Sequence, residues 1–278
     1  MNFLPKRVAR MVPAGWRRWW RRRFGWRWLI GDYATWAEAR AASAGYEDGA
    51  VLQQVVAAAR AVRDGTALWD RDGATFTVPE INRPLVAALR AVAADHGGRL
   101  EVVDFGGGLG STWRQHRLVL GDLAVRWRVV EQPHFVTAGA EFADEVLSFH
   151  GTLRDACAVG GTQVLLCSGV LQYLEHPDRI LGEALRLAFS RIVVDRTPFA
   201  VDGQRHLVIQ RVPPALGGGS YPSWLFGATE LLAPLLPHYR LAESWPAFDD
   251  LGPRAAYRGC LLVRQPGSLA RCAPLPPA

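Results

Sequence analysis

The chain has 278 residues, 49% of them hydrophobic and 21% charged, which excludes a largely disordered chain, a collagen-like fibre and a multi-pass membrane protein. Its formal net charge of +6 is concentrated at one end: residues 1–30 hold nine basic and no acidic side chains, while the other 248 hold 23 basic and 26 acidic ones. The body is therefore mildly acidic and gives no sign of a nucleic-acid cleft, and because Lys6 is the only lysine, chemistry that needs a lysine in the body is excluded.

No run of about 18 apolar residues is present to span a bilayer. Cys157, Cys167, Cys260 and Cys272 form no C-x-x-C pair, so neither a zinc site nor a disulfide framework is signalled and reduced, cytosolic thiols are expected. No other metal-ligand spacing is present.

Residues 1–28 read as a basic arm. Leu4, Val8, Val12, Trp16, Trp19, Trp20 and Phe24 recur at helical spacing, with arginines on the other faces and Pro13 as a break. The uninterrupted apolar core of a signal peptide is absent. Such an arm suits either an anionic membrane surface, with tryptophans among the headgroups, or a helix docked on its own domain or on a partner.

Residues 29–98 read as a helical cap. Helical stretches begin near Trp36 and along GYEDGAVLQQVVAAARAV, and INRPLVAALRAVAADHGG is stopped by Gly97-Gly98. Between the last two lies TALWDRDGATF, read as a loop with a turn at Asp72-Gly73.

From residue 99 to 268 the pattern becomes strand and helix in alternation. Strands are predicted at 99–105, 126–131, 145–150, 163–168 and 191–195, with helices starting near Ser111, Pro133, Thr152 and Pro177. Continuous apolar strands separated by helices predict a mostly parallel Rossmann-like sheet covered on both faces. An extra strand near 206–211, a Pro/Gly-rich loop, a helix near 227–236 and two final strands near 239–245 and 257–264 follow, the last antiparallel. The tail 269–278 is read as disordered.

The sharpest motif is EVVDFGGGLGS: an apolar strand ending in Asp104, then Gly106, Gly107, Gly108 and Gly110 before a helix start. Glycines let a ligand approach the backbone, and a helix N-terminus favours negative charge. The G-x-x-G spacing of a dinucleotide fingerprint fails, because Ser111 occupies its last position. Glu131 ends the next strand, 21 residues after Gly110, where a carboxylate can accept from both ribose hydroxyls of an adenosine.

An acid directly before a G-x-G-x-G turn resembles the first motif of class I S-adenosylmethionine (SAM) methyltransferases. GDYATWAEARAASAGYEDGAVL, VVDFGGGLGS, WRVVEQPHFV, LLCSGVLQYLEHP and VDRTPF followed by SYPSW resemble more narrowly a family of bacterial methyltransferases associated with surface-polysaccharide gene sets. The likeness spans roughly residues 31–245 and leaves out the arm.

This resemblance implies SAM as cofactor, held by Asp104, the four glycines, Glu131 and Gln132, with His150, Gly151 and Thr152 beside the adenine. Asp104 either serves the amino-acid end of the cofactor or caps the loop. Ser168, Gln172 and Tyr173 fall near the methyl group. Asp195, His176 and Tyr173 are the candidates for taking a proton from an acceptor hydroxyl, although His150, His176 and Tyr173 have plain packing readings too. Arg196 either pairs with Asp195 or holds an anionic group of the acceptor. Tyr221 and Trp224 offer flat faces to a sugar, or form a lid on the N-terminal helices. Asp195, Arg196, Tyr221, Trp224 and Ser168 are expected around one cavity.

The implied acceptor is a small molecule or glycan, most simply a hydroxyl of a polysaccharide or lipid-linked precursor, reached from the cytoplasmic side of the inner membrane. Two other functions stay open: a nicotinamide-dependent oxidoreductase, and a non-catalytic scaffold of the same fold tethered by its arm. A serine hydrolase is excluded, since no G-x-S-x-G turn is present.

Overall fold

The computed structural model describes residues 28–44, 48–212, 218–247, 249 and 252–267. The arm, apart from Trp28, and the tail 269–278 lie outside the described residues.

The first part of the chain runs β1 (Leu29–Ile30), α1 (Trp36–Ala41), α2 (Asp48–Arg63), β2 (Trp69–Arg71), β3 (Ala74–Phe76) and α3 (Arg83–Asp95). Thr35 opens α1 with a reciprocal capping box to Glu38. Asn82 caps α3 through the Leu85 N–H.

The loop expected around Asp72 is instead a hairpin, with Trp69 opposite Phe76. Asp72 and Gly73 both take positive φ, 50° and 75°, as a tight two-residue β-turn requires. The Trp69 and Phe76 rings stack at 4.0 Å and supply the apolar contact that three-residue strands need.

The second part contains β4 (Arg99–Phe105), α4 (Ser111–Leu120), β5 (Ala124–Val130), α5 (Pro133–Gly139), β6 (Leu147–His150), α6 (Leu153–Ala158), β7 (Val164–Ser168), α7 (Pro177–Leu187) and β8 (Arg191–Ala200). After these come β9 (His206–Arg211), β10 (Ser220–Leu225), α8 (Ala228–Leu232), β11 (Tyr239–Pro246) and β12 (Ala255–Arg264). Seven strands form one sheet in the order β11-β12-β8-β7-β4-β5-β6. Pairing is parallel from β8 to β6, and β12 runs antiparallel to both of its neighbours. This is the mostly parallel, Rossmann-like sheet with an antiparallel strand that the sequence predicts.

Neighbouring residues of the strands point to opposite layers. Val103, Val130, Leu165 and Val194 join one core with α6 and α7, while Val102, Val129, Leu166 and Val193 join a second with α3. Apolar side chains on both faces explain why these strands read as unbroken apolar runs.

SYPSW is not a loop. It is β10, the edge of a second sheet ordered β1-β9-β10. Pro222 is tolerated there because an edge strand need not donate on its outer side. No helix among the described residues is long and apolar enough to cross a membrane.

Candidate active site

The carboxyl ends of β4, β5, β7 and β8 converge below the hairpin and α3. In open α/β sheets this edge, where the strand order reverses, is where ligands bind. Here the reversal falls between β4 and β7.

The glycine loop separates into two kinds of position. A Cβ at Gly107 would lie 2.6 Å from the Asp104 carboxyl, and one at Gly110 would lie 2.9 Å from the Leu147 side chain. Gly106 is closed off in the same way by Val170. These three are required by the protein's own packing. A Cβ at Gly108 or at Gly151 would meet nothing within 4 Å, so both face open space. Gly108 also has φ +59°, a conformation that glycine adopts without strain.

Glu131 bridges this open side. Its Oε1 accepts from the Gly108 N–H at 3.1 Å, and its Oε2 accepts from the Gln132 N–H at 2.9 Å. Burial raises its pKa above the ordinary carboxylate value. A carboxylate has about four acceptor sites, so two remain for further donors. Gln132 is exposed at the start of α5.

Asp104 lies beneath the loop, 1% exposed, with its Oδ2 accepting from Trp127 Nε1 at 2.9 Å. Burial, and secondarily the charge of Glu131, pushes its pKa up to about 7. Of the remaining residues expected beside the adenine, His150 shares a 2.9 Å hydrogen bond with Ser148 Oγ, and burial lowers its pKa. Thr152 caps α6, accepting from the Asp155 N–H at 3.0 Å.

The other half of the edge is a small cavity lined by Arg71, Asn82, Ser111, Gln115, Ser168 and Asp195, among others that include Arg196 and His116. Asp195 sits at a bulge: Gly259 of β12 faces both Asp195 and Arg196, and Arg196 takes φ +50°. The bulge directs the two side chains away from regular alternation. A Cβ on Gly259 would overlap the Trp245 indole nitrogen and the Asp195 carboxylate, so the glycine makes room for that hydrogen bond.

Asp195 is 1% exposed and accepts from three side-chain donors. Its Oδ1 accepts from Trp245 Nε1 at 2.9 Å, and its Oδ2 accepts from Asn82 Nδ2 at 2.9 Å and, more weakly, from Ser168 Oγ at 3.5 Å. Burial raises its pKa. The backbone N–H of Asn82 donates to His116 Nε2 at 3.1 Å, which leaves the ring proton on Nδ1 for the Thr112 carbonyl at 2.8 Å. Burial pushes the His116 pKa down to about 4, so the ring is neutral.

A second buried clamp holds the hairpin. Asp70 accepts two hydrogen bonds from Arg114, at 2.7 and 2.9 Å, and Arg114 also donates to the Leu109 carbonyl within the glycine loop. The cap is thereby tied to both halves of the site.

Arg196 does not pair with Asp195. Asp249 accepts from its Nε and Nη2 at 2.9 and 3.1 Å, and Asp72 lies at 3.5 Å. Gln172 donates to the Arg196 carbonyl at 3.4 Å.

The aromatic residues fall into two groups outside that cavity's lining. Tyr173 donates to Gln210 Oε1 at 3.1 Å and meets Tyr221 edge-on at 4.9 Å. Trp224 donates to the Leu174 carbonyl at 2.9 Å and lies 5.7 Å from Trp36 and 3.7 Å from the Arg205 guanidinium. His176 is half exposed, with Glu175 at 3.9 Å. The cavity thus brings Ser168, Asp195 and Arg196 together, and its lining does not include Tyr221 or Trp224. Arg71, Asn82, Gln115, His116, Trp245 and Asp249 were not anticipated. Only Asn82 had a local signal, as a cap residue ahead of Pro84.

No family model and no curated protein matches the chain. Among solved structures, the N-terminal domain of EvdMO1, determined with SAH and D-fucose, is 15% identical over 79% of this chain and 98% of its own, with a TM-score of 0.46. A 1,6-didemethyltoxoflavin-N1-methyltransferase from Burkholderia thailandensis is 21% identical over 80% of this chain and 91% of its own, with a TM-score of 0.41. CalS10, an amino pentose methyltransferase from Micromonospora echinaspora, is 12% identical over 67% and 92%, with a TM-score of 0.44. The likeness is distant in each case and assigns no ligand or residue role to this chain.

Proposed function

We propose that the protein is a SAM-dependent methyltransferase acting on a hydroxyl of a glycan or of a lipid-linked polysaccharide precursor. The observation that carries the cofactor half is the Glu131 carboxylate beside Gly108, with Gly108 and Gly151 facing open space on the same side. These residues fit an adenosine: Glu131 would accept from the ribose hydroxyls, Gly108 would let the backbone come close, and Gly151 would leave room for the ring. When bound, SAM supplies an electrophilic methyl carbon.

Methylation of a hydroxyl releases a proton, and Asp195 is the carboxylate nearest the cavity that can receive it. Its raised pKa suits that task, and Ser168 is the group placed to relay the proton. Tyr173, already donating to Gln210, and His176, half exposed, are less suited. The glycan acceptor and the polysaccharide setting rest on the family resemblance of the five motifs.

Calorimetry is expected to detect SAM and S-adenosylhomocysteine (SAH), and Glu131→Ala is expected to weaken SAH by roughly 1.5–3 kcal/mol, the range for hydrogen bonds to a charged group. Binding of NAD in place of SAH would select the oxidoreductase instead.

The same reading makes residues 1–28 a peripheral anchor to anionic lipid at the inner membrane face. Five of the eleven tryptophans and nine basic residues lie in the first 30 positions. Each engaged arginine contributes about 1 kcal/mol at such a surface. Deleting 1–28 should abolish co-sedimentation with anionic liposomes and leave Tm and SAH affinity unchanged. Loss of SAH binding on deletion would mark the arm as part of the fold.

A further inference from the structure

The cavity at the end of β7 and β8 contains two arginines in unlike states. Arg196 is neutralised by the two-point contact with Asp249. Arg71, at the end of β2, makes a single 3.2 Å contact to the half-exposed Glu80 carboxylate and a 3.3 Å contact to the Gln115 amide oxygen. Both contacts use Nη2, so Nε and Nη1 have no protein acceptor among the described residues. The Arg71 side chain is nonetheless only 18% exposed and lies over the Trp69 ring at 4.8 Å. Burial first, and the positive charge of Arg196 second, lower its pKa against the opposing charges of Asp249, Glu80 and Asp72.

Beside the acceptors Glu80, Gln115 and Asp195, the neighbourhood of Arg71 holds two hydroxyls that can donate. Ser111 and Thr112 line the same cavity. They open α4, whose cap position is Gly110 and which therefore has no side chain to satisfy its first N–H groups. The hairpin cannot drift from these groups, because the buried Asp70–Arg114 pair fixes it to α4 and to Leu109.

We infer that Arg71 recognises a carboxylate held between the cap hairpin and the start of α4. The inference rests on the methyltransferase reading for the source of that carboxylate, which is the amino-acid end of SAM. The start of α4 follows directly from Gly110, so a ligand with its adenosine at Gly108 and Glu131 would bring its other end here. Arginine suits the task because its planar fork matches two carboxylate oxygens and keeps its charge in a buried place. The cap then belongs to the cofactor site as well as to the acceptor site. An acidic acceptor is the other source of the same chemistry.

The test compares SAH with 5′-methylthioadenosine, which lacks the amino-acid end, by calorimetry on wild type and Arg71→Gln. The expected result is a loss of about tenfold to a hundredfold for SAH and none for methylthioadenosine. A second titration adds malonate to protein saturated with SAH. If SAH affinity is unchanged but malonate binds wild type and not the variant, Arg71 still recognises a carboxylate, and its source is the acceptor. Equal losses for both nucleosides, or no change in either titration, overturn the inference. Arg71→Lys keeps the charge without the fork, should fall between the two, and carries the comparison if Arg71→Gln does not fold. If wild type binds neither nucleoside, the methyltransferase reading fails, while malonate binding to the ligand-free protein still tests Arg71.

Discussion

The two halves of the site are built on opposite principles. The half around Gly108, Glu131 and Gly151 is made of backbone and one carboxylate, and its two glycines face open space. The half around Asp195 is made of side chains that satisfy one another: Asn82, Trp245 and Ser168 all donate to a single carboxylate. In the second, an acceptor of the proposed kind would have to displace or add to polar contacts that also hold the cap in place. On the proposed reading, cap position and acceptor binding are therefore expected to be coupled.

The largest expected effect comes from breaking the clamp. Asp70 and Arg114 are 1% and 7% exposed and meet through two hydrogen bonds. Asp70→Asn leaves a buried guanidinium without its counter-charge, a change that costs about 3–5 kcal/mol. Urea unfolding should report that loss in its midpoint. A cost under about 1 kcal/mol would place the pair among weakly contributing ion pairs and leave the cap held by apolar packing alone.

The same division governs what could be read from the sequence. The sheet was legible because its strands are unbroken apolar runs, and Asp104, the glycines and Glu131 because they lie in one short stretch at strand ends. Strand β2 was not, since Trp69-Asp70-Arg71 presents two charged residues in a three-residue strand, and their burial depends on Arg114 and Gln115 in another element. Asn82 reads as a helix cap and is one, yet its second role depends on Asp195, 113 positions away. Arg196 stood beside an obvious acidic partner, but the bulge opposite Gly259 turned the two side chains apart and gave Arg196 to Asp249. Pro222 marked a loop locally and is accepted in β10 only because that strand is an edge. Local backbone chemistry is visible in sequence, whereas long-range polar pairing is not.

The smallest expected effect is on pH dependence, because a buried carboxyl of the first half and a buried imidazole of the second are shifted in opposite senses. Asp104 titrates near pH 7 in the fold against roughly 3.9 in the unfolded chain. Between those values the native state holds the extra proton, so this group lowers stability as pH rises from about 4 to about 7. His116 titrates near 4 in the fold against about 6.5 unfolded. There the unfolded state holds the extra proton, so its contribution is full above pH 6.5 and is lost as pH falls towards 4. The two slopes oppose each other over most of that window, and Asp195, raised like Asp104, adds to the first. Wild type should accordingly show a shallow profile. Asp104→Asn should steepen the loss of stability on acidification, by removing the group that opposes it. His116→Gln, which keeps an acceptor for the Asn82 N–H, should make the protein more stable at pH 5 than at pH 7. Denaturation midpoints at pH 5, 6 and 7 measure both, and parallel profiles for the three proteins would show that neither buried group titrates between its folded and unfolded values.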